Sequence, residues 1–264
     1  MQILVINLPE STDRLEFQQQ QMKRLGLDFE IIRAVSTSHV HERAHYHLAL
    51  GWERPLRKTE IACYLSHHKA WQAVLKRNKP ALILEDDAML SRHVPVLLRE
   101  LEQHNDCDLV TLEVRGRKKI VAKQRQELLG DYHLVPLYQD RTGAAGYILW
   151  PSGAKILLAK AKSQSPGLAD AFISSTYELR SFQLEPAAII QLDQCETYGV
   201  INRFETQSSI SSEEKPEMDY IPLRGKINFR KRRLLSQLRM GWRQVSVMNH
   251  SVKRPIELHT DDFL

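Results

Sequence analysis

A chain of 264 residues that is 42% hydrophobic and 26% charged suits one large α/β domain, or one domain with an appendage. No apolar run approaches the roughly 20 residues of a membrane-spanning helix. Its three cysteines include no CxxC pair, which argues against a disulfide framework or a thiolate zinc site and fits a reducing cytosol. The net charge of +5 is uneven: Tyr220 to Ile256 carry 10 Lys or Arg and no Asp or Glu, leaving 27 basic residues against 32 acidic ones in a mildly acidic body.

The opening "MQILVINLPE" lacks a basic n-region and a long h-region, so it reads as a strand, Gln2 to Leu8, and not as a signal peptide. Ser11, Thr12 and Asp13 are of the types that cap a helix. Leu15, Met22 and Leu25 supply its apolar side and Gly26 its stop. "DFEIIRAV" (28–35) reads as a second strand, and a β-α-β opening favours a parallel sheet. Residues 36–58 are polar, His-rich and irregular. Thr59 to Arg77 is predicted as a strong helix, with Ile61, Tyr64, Leu65, His68, Trp71, Ala73 and Leu75 toward one broad face.

Further strands are expected at "ALIL" (81–84), "CDLVTLEV" (107–114) and, last, "LEPAAIIQL" (184–192). A helix is expected at "VPVLLRELEQ" and a strand-turn-helix at "AAGYILWPSGAKILLAKAK". Arg115 to Gln126 reads as an exposed loop or hairpin, and residues 205–219 as a linker.

Glu85, Asp86 and Asp87 follow the buried strand without a break. Ligands of open α/β sheets bind beyond the carboxyl ends of strands. Positions i and i+2 of an extended segment point the same way, so Glu85 and Asp87 share a face and Asp86 takes the other. A divalent cation of the Mg²⁺ or Mn²⁺ kind, completed by substrate phosphates, would relieve their repulsion. A solvated acidic turn capping the next element accounts for the same residues about as readily.

Four stretches shift that balance. "ILVINLPESTDRLEFQQQQMKRLGLDFEIIRAV", "LRKTEIACYLSHHKAWQAVLKRNKPALILEDDAML", "GAAGYILWPSGAKILLAKA" and "SSI" (208–210) resemble glycosyltransferase family 25, in order over roughly residues 1–212. That is the lipopolysaccharide and lipooligosaccharide biosynthesis family, related to collagen galactosyltransferases.

The resemblance implies an inverting nucleotide-sugar transferase with a GT-A-like, Rossmann-type, mostly parallel sheet flanked by helices. "EDD" stands for the family's DXD-like motif, with Glu in place of the first Asp. Asp87 is then the best metal ligand, with Glu85 or Asp86 near the ribose or the metal, and Mn²⁺ or Mg²⁺ is the cofactor. Asn7 and the Leu8 backbone suit the base; Arg14 suits a base or phosphate, or is a solvated first-turn charge.

Ser66 and His67 are expected to face the donor cleft while His68 and Trp71 pack inward. Glu60, a dipole partner at a helix start, becomes a candidate site residue. Gly143 and Gly146 would let backbone approach a ligand. Asp170 is an acceptor-side base or a second cleft carboxylate. Family members often use UDP-galactose, and the resemblance implies a lipid-linked glycan as the acceptor.

His41-Glu42-Arg43-Ala44-His45 matches HExxH, the pattern of a zinc metallohydrolase. Its polar, Ser/Thr-rich setting favours a surface loop instead. In the tail, Leu235, Leu238, Trp242 and Val245 form a stripe among basic residues. This reads as a helix lying on an anionic membrane surface, or equally as a homodimer contact, and not as a nucleic-acid site. The expected division is a catalytic domain at 1–212 and a linker with a basic helical tail at 213–264. The expected location is cytoplasmic, including peripheral attachment at the cytoplasmic face of the inner membrane.

Overall fold

The computed structural model describes residues 1–40, 48–141, 143–202, 204 and 223–263. The expected β-α-β opening is present as β1 (Gln2–Asn7), α1 (Thr12–Leu25) and β2 (Glu30–Arg33), with β1 and β2 parallel. Gly26 ends α1 in the left-handed conformation at φ 64°. Ser11 occupies the N-cap position but makes no side-chain capping bond. Next come α2 (Lys58–Arg77), β3 (Ala81–Glu85), β4 (Ala88–Leu90) and α3 (Val94–Leu101).

The second half holds β5 (Leu109–Thr111), β6 (Glu113–Val114), β7 (Lys119–Ala122), β8 (Gln126–Leu129), β9 (Tyr132–Gln139) and β10 (Gly146–Leu149). α4 (Pro151–Ser163), α5 (Ala169–Ser174), β11 (Ser181–Glu185), β12 (Ile189–Gln191) and α6 (Cys195–Tyr198) follow. α7 (Leu223–Val247) and β13 (Ser251–Arg254) close the chain.

In the main sheet β2, β1, β3, β5 and β11 run in one direction, and β10, between β3 and β5, runs against them. This is the expected α/β, mostly parallel centre, extended antiparallel through β9, β7 and β13. β4, β12 and β6 form a second, small sheet.

The apolar run of β3 is explained by its two covered faces. Leu82 and Leu84 pack with Met22, Leu97 and Leu98. Ala81 and Ile83 pack with Trp71, Val74, Leu157 and Phe172. The alternation of a strand thus feeds two cores at once.

Several expectations are corrected. Arg115 to Gln126, expected as an exposed loop or hairpin, is exposed only on either side of β7, whose four residues are all buried. "CDLVTLEV" and "LEPAAIIQL" each divide between the two sheets. On α2, Leu75 is exposed and Val74 takes its place inside. Residues 251–263 are part of the body: β13 pairs with β7, and Ile256 and Phe263 are buried. Residues 41–47, which hold HExxH, and the linker and "SSI" lie outside the described residues. Among the described residues, no helix is long and apolar enough to cross a membrane.

Candidate active site

The register of β1 against β3 sets Ile6 opposite Glu85, so the two strands end side by side. Asn7, the last residue of β1, donates from Nδ2 to Asp86 Oδ2 at 2.9 Å. Arg14, on the first turn of α1, donates from Nη1 to Asp86 Oδ1 at 2.8 Å and lies 3.6 Å from Asp87 Oδ2. Leu8, half-buried, carries the turn between them: its carbonyl accepts from the Ser11 N–H at 2.9 Å. The expected nucleotide end and the acidic motif are therefore one locus.

Two glutamines on the inner face of α1 shape the turn. Gln18 Nε2 donates to the carbonyls of Asp86 and Ala88, and Gln21 donates to Ala88 while its Oε1 accepts from the Leu90 N–H. The carbonyls of Asp86 and Ala88 and the Leu90 N–H thereby gain partners within the protein.

Glu85 and Asp87 do face the same way. Gln191 Nε2, from β12, lies 3.4 Å from Glu85 Oε2 and 3.4 Å from Asp87 Oδ1. Behind Glu85 runs a buried relay. Trp71 Nε1 donates to the Tyr147 hydroxyl at 2.8 Å, Tyr147 lies 3.0 Å from His67 Nδ1, and His67 Nε2 lies 3.0 Å from Glu85 Oε1. With the Tyr147 proton directed at Nδ1, the imidazole carries its proton on Nε2 and donates to the carboxylate. His67 is fully buried and is a positioning residue behind Glu85, not a group on the open cleft.

The electrostatics split the pair. Burial alone would raise Glu85, but the hydrogen bond from His67, with the charges of Arg115 and Arg14, holds it below the usual carboxylate range. Asp87 has weaker help: burial and then the neighbouring Glu85 charge push it up to about 7, against Arg14. Asp86 is raised by burial despite Arg14 and Asn7.

A third buried carboxyl, Glu113 on β6, accepts from the Ala145 N–H at 3.0 Å, while its Oε2 has no hydrogen-bond partner among the described residues. Burial raises it well above the usual range, against Lys119. Asp170, at the start of α5, accepts from the N–H groups of Ala171 and Gly143, and burial raises it too.

The donor set fits a hard divalent cation. Asp87 and Glu85 crowd negative charge at one point, and the buried Gln191 Oε1 beside them has no hydrogen-bond partner among the described residues. Cys63 Sγ, His67 and Glu85 also offer ligand atoms within 4.8 Å of one another. Burial, and then Glu85, push the Cys63 thiol far up, so it remains protonated and a poor ligand.

Other expected site residues have different work. Both Glu60 oxygens are taken by Arg54, at 2.7 and 2.8 Å, and by the Arg57 N–H at 2.9 Å. Ser66 Oγ donates to the Ala62 carbonyl and accepts from the Val35 N–H, tying α2 to the end of β2 instead of facing the cleft. The glycines make room for protein and not for ligand. A Cβ at Gly143 would lie 2.5 Å from Glu113 Oε1, and one at Gly146 would lie 2.6 Å from the Ile189 side chain.

Gln18, Gln21, Gln191, Glu113 and Tyr147 were not singled out from the sequence. Gln18 and Gln21 left a signal, two amides three apart beside Met22 on the inner side of α1. Gln191 left none, since 104 and 106 residues separate it from Asp87 and Glu85.

The family described as Glycosyltransferase family 25 (LPS biosynthesis protein) matches residues 1–173. Procollagen galactosyltransferase 1-B of Xenopus laevis is 27% identical over 236 residues, covering 78% of this chain and 38% of that protein. The chain therefore spans well under half of that relative's length. A putative glycosyltransferase of Haemophilus influenzae is 26% identical over 196 residues, covering 71% of this chain and 69% of that one. Among solved structures, S. aureus TarS in complex with UDP-GlcNAc aligns at TM-score 0.37 and 12% identity, covering 91% of this chain and 66% of that one.

Proposed function

This chain belongs to glycosyltransferase family 25, and from that premise we propose that it moves a hexose from a nucleotide diphosphate sugar to a glycan hydroxyl, with inversion at the anomeric carbon. The observation that carries this reading is the placement of Asp87 and Glu85, side by side under Gln191, next to the Asn7–Arg14 end of β1.

Asn7 and the Leu8 backbone hold the base, and Arg14 draws the phosphates toward Asp87. Asp87 and Glu85 would hold the divalent cation, Mn²⁺ or Mg²⁺, which would supply positive charge for the departing diphosphate. The Trp71–Tyr147–His67 relay keeps Glu85 ionised and aimed. The acceptor oxygen bonds to the anomeric carbon as the bond to the diphosphate oxygen breaks, and Asp170 takes the acceptor's proton. Burial suits Asp170 to this by bringing its pKa upward.

UDP-galactose is the donor we favour, consistent with the galactosyltransferase names among the relatives, and a lipopolysaccharide or lipooligosaccharide glycan is the acceptor. The zinc metallohydrolase reading of His41 to His45 is not carried forward, because the family is one of transferases.

Incubation with UDP-, GDP- and CMP-sugars in Mn²⁺ and then EDTA tests the reading. Nucleotide release is expected from one UDP-sugar, with UDP-galactose first, and is expected to stop in EDTA. Zero release from every donor overturns the transferase reading; release indifferent to EDTA overturns the cation.

The tail helix serves this function at a membrane. Leu235, Leu238 and Trp242 are 48%, 59% and 75% exposed, so the predicted stripe faces outward on α7. Each well-placed Lys or Arg adds roughly 1 kcal/mol of attraction to an anionic surface. Such docking would put the enzyme at the cytoplasmic face of the inner membrane, where a lipid-linked acceptor lies. Sedimentation with phosphatidylglycerol vesicles is expected, with loss in high salt and in Leu238→Ser/Trp242→Ser. If vesicles are ignored and the native chain is a dimer that this double variant dissociates, the stripe is a subunit interface and the membrane proposal fails.

A further inference from the structure

We propose that Glu113 is a positioning residue for the transfer step: through the segment Gly143 to Ala145 it holds Asp170, the proposed base, in register with Glu85, a proposed cation ligand. This rests on the transferase reading and adds to it a residue that does not itself meet the substrate. Glu113 stands opposite Ile189 in the pairing of β6 with β12, and it is wholly buried. Burying a carboxyl costs free energy that an apolar side chain of the same size does not. Its contacts identify its use.

Three hydrogen bonds meet in the short segment ahead of β10. The Ala145 N–H donates to Glu113 Oε1 at 3.0 Å. The Ala145 carbonyl accepts from the Glu85 N–H at 2.9 Å. The Gly143 N–H donates to Asp170. Glu113 also lies directly beside Gly143, where a Cβ would meet Oε1 at 2.5 Å and Oε2 at 3.1 Å. Gly143 sits at φ 101°, a conformation open to glycine and rarely to other residues. One carboxyl is thus bonded to one end of the segment and packed against the other, and the same segment bonds Glu85 on one side and Asp170 on the other.

The chemistry of the carboxyl suits a fixed support. Burial, with the charges of Glu85 and Asp140, keeps it protonated, and the same two charges act on Asp170. A neutral carboxyl accepts from an N–H as an amide oxygen does. Glutamine can therefore do its work. Leucine fills similar space but leaves the buried Ala145 N–H without its acceptor.

The test measures nucleotide release by the full chain with Mn²⁺ and the sugar donor that the panel above identifies. Glu113→Leu is expected to lower kcat about 10- to 100-fold, the scale on which a misplacement of about 1 Å acts. KM for the donor is expected to stay close to that of the wild type, because Asn7, Leu8 and Arg14 lie outside the segment. Glu113→Gln is expected to keep most of the turnover. In an Asp170→Asn background, Glu113→Leu is expected to cost nothing further, since the group it positions is already gone.

A wild-type kcat in Glu113→Leu, a loss confined to KM, a Glu113→Gln protein as impaired as the leucine one, or full additivity with Asp170→Asn each overturn the proposal. Should Glu113→Leu fail to fold, Gly143→Ala decides: its Cβ must push the segment off Glu113, and an unchanged kcat there overturns the proposal as well. A wild type that releases nucleotide from no donor sinks the transferase reading, and the positioning role falls with it. Release by the wild type beside an unaffected Glu113→Leu sinks the positioning role alone.

Discussion

Asp87→Asn is expected to lower glycosyl transfer by about 10³-fold or more, a loss of the size that follows removal of a group stabilising charge in the transition state, while the protein becomes more stable at neutral pH. The carboxylate sits beside Glu85 with its pKa pushed up to about 7 by burial and by that neighbour. A carboxyl whose folded pKa lies above its unfolded value contributes its full stability below the unfolded pKa. That contribution is lost as pH rises through the folded value. For Asp87 the window runs from about 4 to about 7, and the loss is on the order of a few kcal/mol.

Asn keeps an oxygen for the Gln191 bond and has no charge to accumulate, so the variant escapes the loss. The difference in melting temperature, variant minus wild type, should widen from pH 4 to pH 7 and then level. Mn²⁺ should raise the wild type and leave the variant alone. A flat difference across pH, or an active variant, would show that Asp87 does not carry the strained charge assigned to it.

Lys119→Met should cost about 3–5 kcal/mol, the penalty for removing one partner of a buried ion pair. Lys119 is 2% exposed. Its ammonium pairs with Asp140 and donates to Gln183 Oε1 at 2.7 Å and to the Glu113 carbonyl at 3.2 Å. Methionine fills similar space with no donor, so Asp140 loses its cation inside the protein and Gln183 an acceptor's partner. Thermal unfolding should fall by about 10 °C. A shift of less than about 2 °C would mean that Asp140 is solvated well enough to stand alone, and that β7 owes its place to Ile120 and Val121 rather than to this ion pair.

Lys119 also shows where reading the chain fails. It follows Arg117 and Lys118, and a run of three basic residues has the look of solvent-facing chain. Its burial depends on Asp140, on Gln183 and on β13, which returns from residue 251 to pair with Ala122. β7 holds its place only through the strands on either side of it, β13 and β9, and nothing in the residues near 119 names those partners.

The first 90 residues behave differently. α1 and α2 repeat their apolar positions over several turns, and β3 is apolar on both faces, so each carries its own local signature. The shared face of Glu85 and Asp87 was legible for the same reason, because a period of two is local geometry.

Beyond that motif, sequence separation sets the limit. Gln191, Glu113 and Asp170 join the carboxylates only because β12, β6 and α5 are brought there by sheet pairing and packing. The roles of Ser66, Glu60, Gly143 and Gly146 turned on what surrounds them, since a hydroxyl, a carboxylate or a missing Cβ serves a neighbour as readily as a ligand. Local patterning therefore specified the β-α-β core and its acidic strand end. The close packing of distant segments specified which groups stay charged, which are buried and which are left to act.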